Sequence, residues 1–474
     1  MKINYRKSLK LTIAAILLIT GFSGCNTTEA KKMEENNQPE STAASDLFAS
    51  SSMSLGDRYA KNQADKAAEQ AQLEKEPSTN GLGIPDSKYE EIIGKSLVSM
   101  GNNYLIKQVL QKMRSGQEVI ISALGGSVTE GAGPAKYTQG YAYQFKDLFT
   151  QQYAADTQKV KFVPAGIGGT PSAMGIVRYQ KDVIEAAGRA PDLLIIEFAV
   201  NDWLECTNTR AMEYIVRKAL EDGTAVIMLY AAATYQNQQG QIKPVADFYE
   251  LPQVSISDGL AGSGVNQEKD SKVYYSDYVH PTRYGHTYMA KCLMNLLAQI
   301  DSCKSDEKYQ LPATYKNQNA FKSFQAIFAD SKDENIQIKC GSFDKKDTAI
   351  QGYMHGGKCF PQNWMKSAGT DAGTDAGVVA GAEANPDPFT MTVNCKSLIM
   401  VYKNAGSKDF GNAEVYVDGK LTKTYAGHEE GGWNNCMIVM LIDQEKTAQH
   451  TVQIKMARGQ EDKAFTILAF GYAK

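Results

Sequence analysis

Between about residues 84 and 300, short apolar runs alternate with longer segments in which apolar residues recur at helical spacing. The runs at residues 119–124, 193–200 and 225–229 are almost continuously apolar, as expected for strands that are buried on both faces. Such strands need crossover helices, so the pattern predicts an α/β fold of three layers, with a parallel sheet between two layers of helices. The remaining predicted elements are helices at residues 89–114, 141–153, 171–187, 211–221, 244–250 and 284–300 and short strands at residues 160–162 and 254–256.

Beyond about residue 311 the apolar residues take the spacing of β-strands. Asp418-Gly419, a pair that favours a tight hairpin turn, follows one strand-length run. The sequence predicts an α/β domain at residues 86–305 and a second, all-β domain of sandwich type at residues 306–474, with a mobile loop at residues 368–377. The predicted strands of the second domain are residues 389–393, 397–402, 413–417, 437–441, 450–454 and 465–470.

Histidine is scarce in this chain, and this limits the choice of a catalytic base. The sequence has five histidines, and none precedes His280. Asp277 stands three residues before His280, at a spacing that one turn can fold onto the imidazole ring. A carboxylate in that position holds the ring in one tautomer, which is half of a serine-hydrolase site.

Ser127 is the candidate nucleophile that could complete such a site. It follows the predicted strand at residues 119–124 and two glycines that release the backbone into a tight turn. Open α/β sheets bind ligands at the carboxyl ends of their strands, where this serine is expected. The alternative is an ordinary turn in which Ser127 caps the following helix.

Two further loops place suitable hydrogen-bond donors after predicted strands. One is the glycine-rich segment 163–170, and the other carries Asn201 after the strand at residues 193–200. Attack of a serine on an ester creates an oxyanion, which backbone N–H groups and an asparagine amide stabilise without adding net charge. Both loops are therefore candidates for an oxyanion hole.

Taken in order, these four segments resemble the blocks of the SGNH subgroup of GDSL-type hydrolases. The resemblance covers about residues 119–297 and implies the three-layer α/β/α fold. It implies Ser127 as nucleophile, His280 as general base and then acid, and Asp277 as the group that orients the ring. It also implies an oxyanion hole made by the N–H groups of Ser127 and Gly169 and the Asn201 amide, although Gly166 and Gly168 compete with Gly169.

This chain departs from the family pattern at two positions. The family usually has glycine where Ala199 stands and a polar residue where Gly168 stands. Neither substitution removes an implied catalytic atom.

Other polar residues near these motifs are interpreted as structural. His286 is expected to stabilise the start of the helix at residues 284–300, and Asp202 to bind backbone groups in a turn. Arg178 and Asp182 stand four apart on a predicted helix, so a surface ion pair is expected, with an anionic substrate group as the alternative partner of Arg178. In the β domain, Trp364, Tyr425 and Trp433 could offer a ring to a sugar, but core or turn packing is favoured for each.

The N-terminus resembles a bacterial lipoprotein signal. Basic residues precede an apolar run at residues 11–19, and small residues lead to Cys25. The resemblance implies cleavage before Cys25 and lipidation of its thiol, with residues 1–25 as signal peptide and residues 26–85 as a polar tether. The expected location is the outer side of the cell membrane; an uncleaved anchor and a non-lipidated secreted protein are the alternatives.

Composition excludes several classes of function. The chain has 50 basic and 53 acidic residues without a basic block outside the signal, so nucleic-acid binding is not supported. The eight cysteines show no paired metal-ligand spacing, which argues against zinc. Besides Cys25, the last four could form disulfides, but the odd count of seven argues against complete pairing.

These observations predict an exported serine esterase that works through an acyl-enzyme and needs no metal or organic cofactor. Export, the tether and the β domain favour a carbohydrate O-acetylesterase that acts on acetylated polysaccharide. A lipase or lysophospholipase and an O-acetyltransferase would use the same residues. A non-catalytic glycan-binding surface lipoprotein is the alternative from another class.

Overall fold

Five parallel strands and one antiparallel strand form the first sheet of the computed structural model, which describes residues 80–265, 272–369 and 387–474. The sheet order is β1-β6-β5-β4-β2-β3, and the chain crosses over between parallel neighbours. The strands are β1 Leu97–Ser99, β2 Val119–Gly125, β3 Val160–Gly166, β4 Leu193–Glu197, β5 Ala225–Tyr230 and β6 Gln253–Ser255. The predicted signal peptide, Cys25, most of the tether and most of the loop at residues 368–377 lie outside the described residues.

Helices cover both faces of this sheet, which confirms the predicted three-layer α/β fold. On one face α1, α2, α4 and α9 pack against one cluster of buried strand side chains, and on the other α5, α6 and α7 pack against a second. Within the described ranges, no helix is long and apolar enough to cross a bilayer. The helices are α1 Asp86–Lys95, α2 Tyr104–Arg114, α3 Ser127–Glu130, α4 Tyr141–Tyr153, α5 Ser172–Tyr179, α6 Arg210–Glu221, α7 Gln239–Phe248, α8 Ile256–Leu260 and α9 Arg283–Ser302, with short 3₁₀ turns at Tyr137–Gln139, Thr157–Lys159 and Asp202–Leu204.

The single helix predicted at residues 89–114 is wrong, because strand β1 interrupts it. Leu97 and Ser99 pair antiparallel with β6 at the edge of the sheet, so tertiary pairing overrides the local helical pattern. The helix predicted at residues 171–187 is also irregular. After α5, the chain continues as a π-helical turn, Gln180–Glu185.

The second part of the chain is an antiparallel β domain, as predicted. Its strands belong to one hydrogen-bonded sheet, in which β10 and β13 each join two predicted strands into one longer strand. A bulge between Cys395 and Ser397 keeps the apolar side chains of β10 on one face across this junction. The strands are β7 Phe324–Ile327, β8 Ile336–Lys339, β9 Trp364–Lys366, β10 Phe389–Ala405, β11 Asn412–Val417, β12 Lys420–Ala426, β13 Trp433–Met456 and β14 Phe465–Ala473.

The predicted hairpin turn at Asp418-Gly419 is confirmed. It joins β11 to β12, and both of its residues have positive φ, 51° and 76°. This conformation matches the twist of the paired strands and explains the glycine. The partner strand β12 is mostly exposed and polar, so it has no apolar pattern from which a strand could be predicted.

One hydrophobic core joins the β domain to the α/β domain. Ile399, Val401 and Leu468 of the β domain belong to the same buried cluster as the side chains of α5 and α6. At its margin, both guanidinium NH₂ groups of Arg210 bind the carboxylate of Asp443, at 2.7 and 2.8 Å. Residues 80–474 consequently form one compact unit.

Candidate active site

Ser127 lies at the turn between β2 and α3, at the carboxyl edge of the parallel sheet. In the register of the sheet, Gly125 stands beside Gly166 of β3 and Glu197 of β4. Ser127 then begins a helix of four residues. A side chain on Gly126 would clash with the Asn201 amide oxygen, so glycine is required where these two loops approach each other.

His280 connects Ser127 to Asp277 through two hydrogen bonds. His280 Nε2 lies 2.8 Å from Ser127 Oγ, and His280 Nδ1 lies 2.7 Å from Asp277 Oδ2. The other carboxylate oxygen, Oδ1, accepts the backbone N–H groups of Val279 and His280, at 2.8 and 2.7 Å. The short spacing of Asp277 and His280 thus forms a closed turn around one carboxylate.

The electrostatics of this turn favour an ionised Asp277. Burial acts to raise the pKa of its carboxyl, but the hydrogen bond and charge of His280 and the two N–H groups outweigh burial, and the net effect lowers the pKa. An ionised Asp277 fixes the tautomer with the proton on Nδ1, which leaves Nε2 free to accept a proton from Ser127.

The structure places the two predicted donor loops beside this turn. Asn201 follows β4, is 8 % exposed, and packs its side-chain amide against Gly126, next to Ser127. Gly169 follows β3 and lies under the ring of Trp433, where an added Cβ would be 3.4 Å from Cζ2. Ile167 N–H donates to Gly125 O at 3.1 Å, which ties this loop to the end of β2.

Residues of the β domain also reach this edge, which the sequence did not predict. Gln351 Nε2 donates to Gly168 O at 2.8 Å. Met354 N–H donates to Glu130 Oε1 at 2.8 Å, and the other carboxylate oxygen, Oε2, would lie 3.4 Å from a Cβ added at Gly168. Glu130 stands three residues after Ser127, so its position near the site could have been predicted from the sequence. Gln351 carries no such signal, because its contact spans 183 residues.

The three aromatic residues of the β domain that were considered for sugar binding differ in their exposure. Trp364 and Tyr425 are buried in the core of that domain, as favoured for each of them. Trp433 differs, because it is 53 % exposed and borders the Gly168–Gly169 loop. Trp433 therefore lies outside the core, and of the two expected kinds of packing only contact with a turn is found.

Arg178 is buried, and the expectation of a surface ion pair is wrong. Its side chain is 1 % exposed, and its NH1 group lies 2.9 Å from Asp182 Oδ2. The guanidinium also donates to Ala165 O at 2.6 Å and to Gly125 O at 2.8 Å. These carbonyls close β3 and β2, so the cation fixes the two strand ends, and no anionic substrate group is needed as its partner.

His286 and Asp202 have structural roles. His286 is fully buried, accepts Tyr141 N–H on Nδ1 and lies 3.0 Å from Ala132 O through Nε2, so it stabilises the start of α4 and not of its own helix. Burial lowers its pKa to about 4. Asp202 Oδ1 accepts the N–H of Ser172 at 2.7 Å, which confirms that it binds backbone.

The cysteines and acidic groups give no sign of a metal site. In the described ranges, no group of three or more histidine, cysteine, aspartate and glutamate residues is arranged to hold a metal ion. The seven cysteines after Cys25 are free.

A buried acid, Glu197, lies directly beneath the Ser127 turn. It is 0 % exposed, and its Oε2 accepts a hydrogen bond from Thr129 Oγ1 at 3.1 Å; Tyr141 Oη lies 2.9 Å from the same hydroxyl. Burial raises the pKa of Glu197 to about 7, against the hydrogen bonds from Thr129, Ala199 and Val200 that lower it.

Replacing Glu197 by Gln is expected to remove a pH dependence of stability. Between its ordinary pKa of 4.5 and about 7, the folded protein holds a proton that the unfolded chain has lost. The free energy of unfolding therefore falls as pH rises through this window, by roughly 3 kcal/mol. Urea unfolding should show E197Q gaining stability relative to the wild type between pH 5 and pH 8. The exposed control E90Q should show no such gain, and equal pH profiles for E197Q and the wild type would contradict the assignment.

Part of the α/β domain is similar in sequence to a known family. Residues 123–288 match the model of the GDSL-like Lipase/Acylhydrolase family. No curated protein matches the sequence.

The two-domain fold is also found in the solved structure of an esterase. A two-domain esterase (CEX) active on acetylated mannans is 21 % identical and superposes over 81 % of this chain and 98 % of its own, with a TM-score of 0.65. The same esterase co-crystallized with mannopentaose is 22 % identical over the same shares, also at 0.65. A catalytic mutant of Axe2, an acetylxylan esterase from Geobacillus stearothermophilus, is 15 % identical over 39 % of this chain and 96 % of its own, with a TM-score of 0.30. The chain is therefore similar over residues 123–288 to the GDSL-like Lipase/Acylhydrolase family, and an additional antiparallel β domain follows this region.

Proposed function

We propose that the protein removes short acyl groups, acetyl above all, from carbohydrate esters, with Ser127 as nucleophile, His280 as base and Asp277 as the group that orients it. The observation that carries this proposal is the unbroken path of hydrogen bonds from Ser127 Oγ through the His280 ring to Asp277, at 2.8 and 2.7 Å. That path lets one imidazole take a proton from the hydroxyl as it attacks and return it to the leaving group.

The reaction follows from this arrangement in two halves. Ser127 Oγ attacks the acyl carbonyl while His280 Nε2 takes its proton, and the N–H groups of Ser127 and Gly169 with the Asn201 amide bind the oxyanion. The alcohol leaves with the proton from His280, and Ser127 keeps the acyl group. Water then attacks the acyl-enzyme with His280 again as base, and the acid departs as Ser127 regains its proton.

The exposed ring of Trp433 supports a carbohydrate as the alcohol part of the substrate. A sugar ring presents a face of C–H groups, which packs well on an indole, while its hydroxyls remain in water. Trp433 is 53 % exposed and borders the Gly168–Gly169 loop, so a sugar on the indole would lie beside the reacting ester. The related fold of an esterase active on acetylated mannans points to the same class of polymer.

Two alternative reactions use the same residues. A lipase-type esterase would prefer long acyl chains, and an O-acetyltransferase would pass the acyl group to a sugar instead of water. The family match of residues 123–288 disfavours a non-catalytic glycan-binding protein.

Replacing Ser127 by Ala is expected to reduce hydrolysis of aryl acetate by at least about 10³-fold, because no other group can carry the acyl intermediate. The assay follows release of the aryl alcohol by wild type and S127A. Aryl esters of two to twelve carbons, tested in parallel, should be hydrolysed fastest at two carbons. Unchanged activity of S127A overturns the mechanism, a preference for long chains favours the lipase, and acetyl transfer to added oligosaccharide favours the transferase.

Replacing Trp433 by Ala is expected to lower kcat/KM on acetylated mannan or xylan by about tenfold, equivalent to ~1.4 kcal/mol of binding. Activity on aryl acetate should change less than twofold, since that substrate has no sugar to stack. Leu421→Ala removes another exposed apolar side chain of the β domain, 45 % exposed on β12, and serves as the control. Equal losses on polymer and aryl ester would contradict a sugar-binding role.

We also propose that Cys25 carries a lipid that anchors the protein to the outer side of the membrane. The support is the sequence alone: a basic and apolar leader that ends in small residues and Cys25. Cys25→Ala should move the protein from the membrane fraction to the soluble fraction, measured by immunoblot after fractionation of cells. Ser23→Ala is the matched control. Retention of the Cys25→Ala protein in membranes contradicts lipidation at this residue.

A further inference from the structure

The backbone of Gly168 lies between side chains of both domains. Its C=O accepts a hydrogen bond from Gln351 Nε2 at 2.8 Å, and a Cβ added at Gly168 would lie 3.4 Å from Glu130 Oε2. Glu130 belongs to α3 of the hydrolase domain, whereas Gln351 comes from the β domain. The loop that follows β3 is thus contacted from two directions.

The bond to Gln351 determines where the N–H of Gly169 points. The C=O of Gly168 and the N–H of Gly169 belong to one peptide group, and no cis peptide bond occurs in the described chain. In a trans peptide these two groups point in opposite directions. When Gln351 Nε2 binds the carbonyl of Gly168, the N–H of Gly169 points away from Gln351.

Gln351 is itself held in one orientation. The residue is 5 % exposed, and its Oε1 accepts the N–H of Cys436 in β13 at 2.9 Å. Because Oε1 must face a donor there, only Nε2 can face Gly168. The backbone C=O of Gln351 accepts the N–H of Cys359 at 3.0 Å, which fixes its main chain as well.

We propose that Gln351 of the β domain is a positioning residue of the oxyanion hole. By binding Gly168 O it orients the Gly169 N–H, and by polarising the shared peptide it makes that N–H a stronger donor. This inference rests on the proposed function, in which Gly169 N–H binds the oxyanion. The β domain then supplies part of the catalytic arrangement for every ester substrate, including those too small to reach Trp433.

Two substitutions test the role of Gln351 in the full chain. Gln351→Leu removes both side-chain hydrogen bonds at nearly constant volume, and Gln351→Glu keeps an acceptor for Cys436 N–H but turns a carboxylate oxygen toward Gly168 O. Each should lower kcat on aryl acetate by about 10- to 100-fold, less than the loss of a whole donor, with KM within about twofold. The same loss in kcat is expected on acetylated polysaccharide.

The control is Asp443→Asn, which weakens the ion pair with Arg210 between the same two domains without touching Gly168. Its thermal midpoint should fall while kcat stays within about twofold of the wild type. If kcat falls equally in D443N, or if either folded Gln351 variant keeps the wild-type kcat, the positioning role is overturned. Ser127→Ala in the same assay separates the two claims: residual activity there overturns the proposed function, whereas inactive S127A beside fully active Q351L overturns only the role of Gln351.

Discussion

The buried guanidinium of Arg178 sets the geometry on which the site depends. It binds the carbonyls that end β2 and β3, Gly125 O and Ala165 O, and it is neutralised by Asp182. Tyr353 of the β domain donates to the same Asp182 oxygen at 2.8 Å. A buried cation is stable only when such partners are complete, so the two strand ends, the helix and the second domain are held in one arrangement.

In this arrangement the residues of the proposed site come from both domains. The hydrolase domain contributes Ser127, Asn201 and the turn from Asp277 to His280. The β domain contributes the exposed ring of Trp433 and the amide of Gln351, and both meet the loop at Gly168 and Gly169. Hydrogen bonds that support such a loop fix the position of its donors. This matters because a misplaced donor loses most of its effect on an oxyanion.

Features that depend on local spacing could be predicted from the sequence, whereas features that depend on tertiary contacts could not. The strands β2 and β4 are continuously apolar, and the pair Asp277 and His280 closes within one turn, so both could be predicted. The sequence does not distinguish Gly169 from Gly166 and Gly168, and the role of Gly169 in the oxyanion hole stays a prediction. Arg178 has the spacing of a surface ion pair, and its burial depends on strands and on a domain that are distant in sequence. Gln351 lies in a loop without periodicity, so only its contact with Gly168 reveals it.

The hydrophobic core shared by the two domains limits how the gene can recombine. Ile399, Val401 and Leu468 pack into the same cluster as the helices of the hydrolase domain. A recombination event that separated the two halves near residue 306 would expose an apolar surface on each product, which favours aggregation. The β domain is therefore expected to be inherited with its hydrolase as one unit, and to diverge with it at the contact surface, whereas modules on flexible linkers can be exchanged freely.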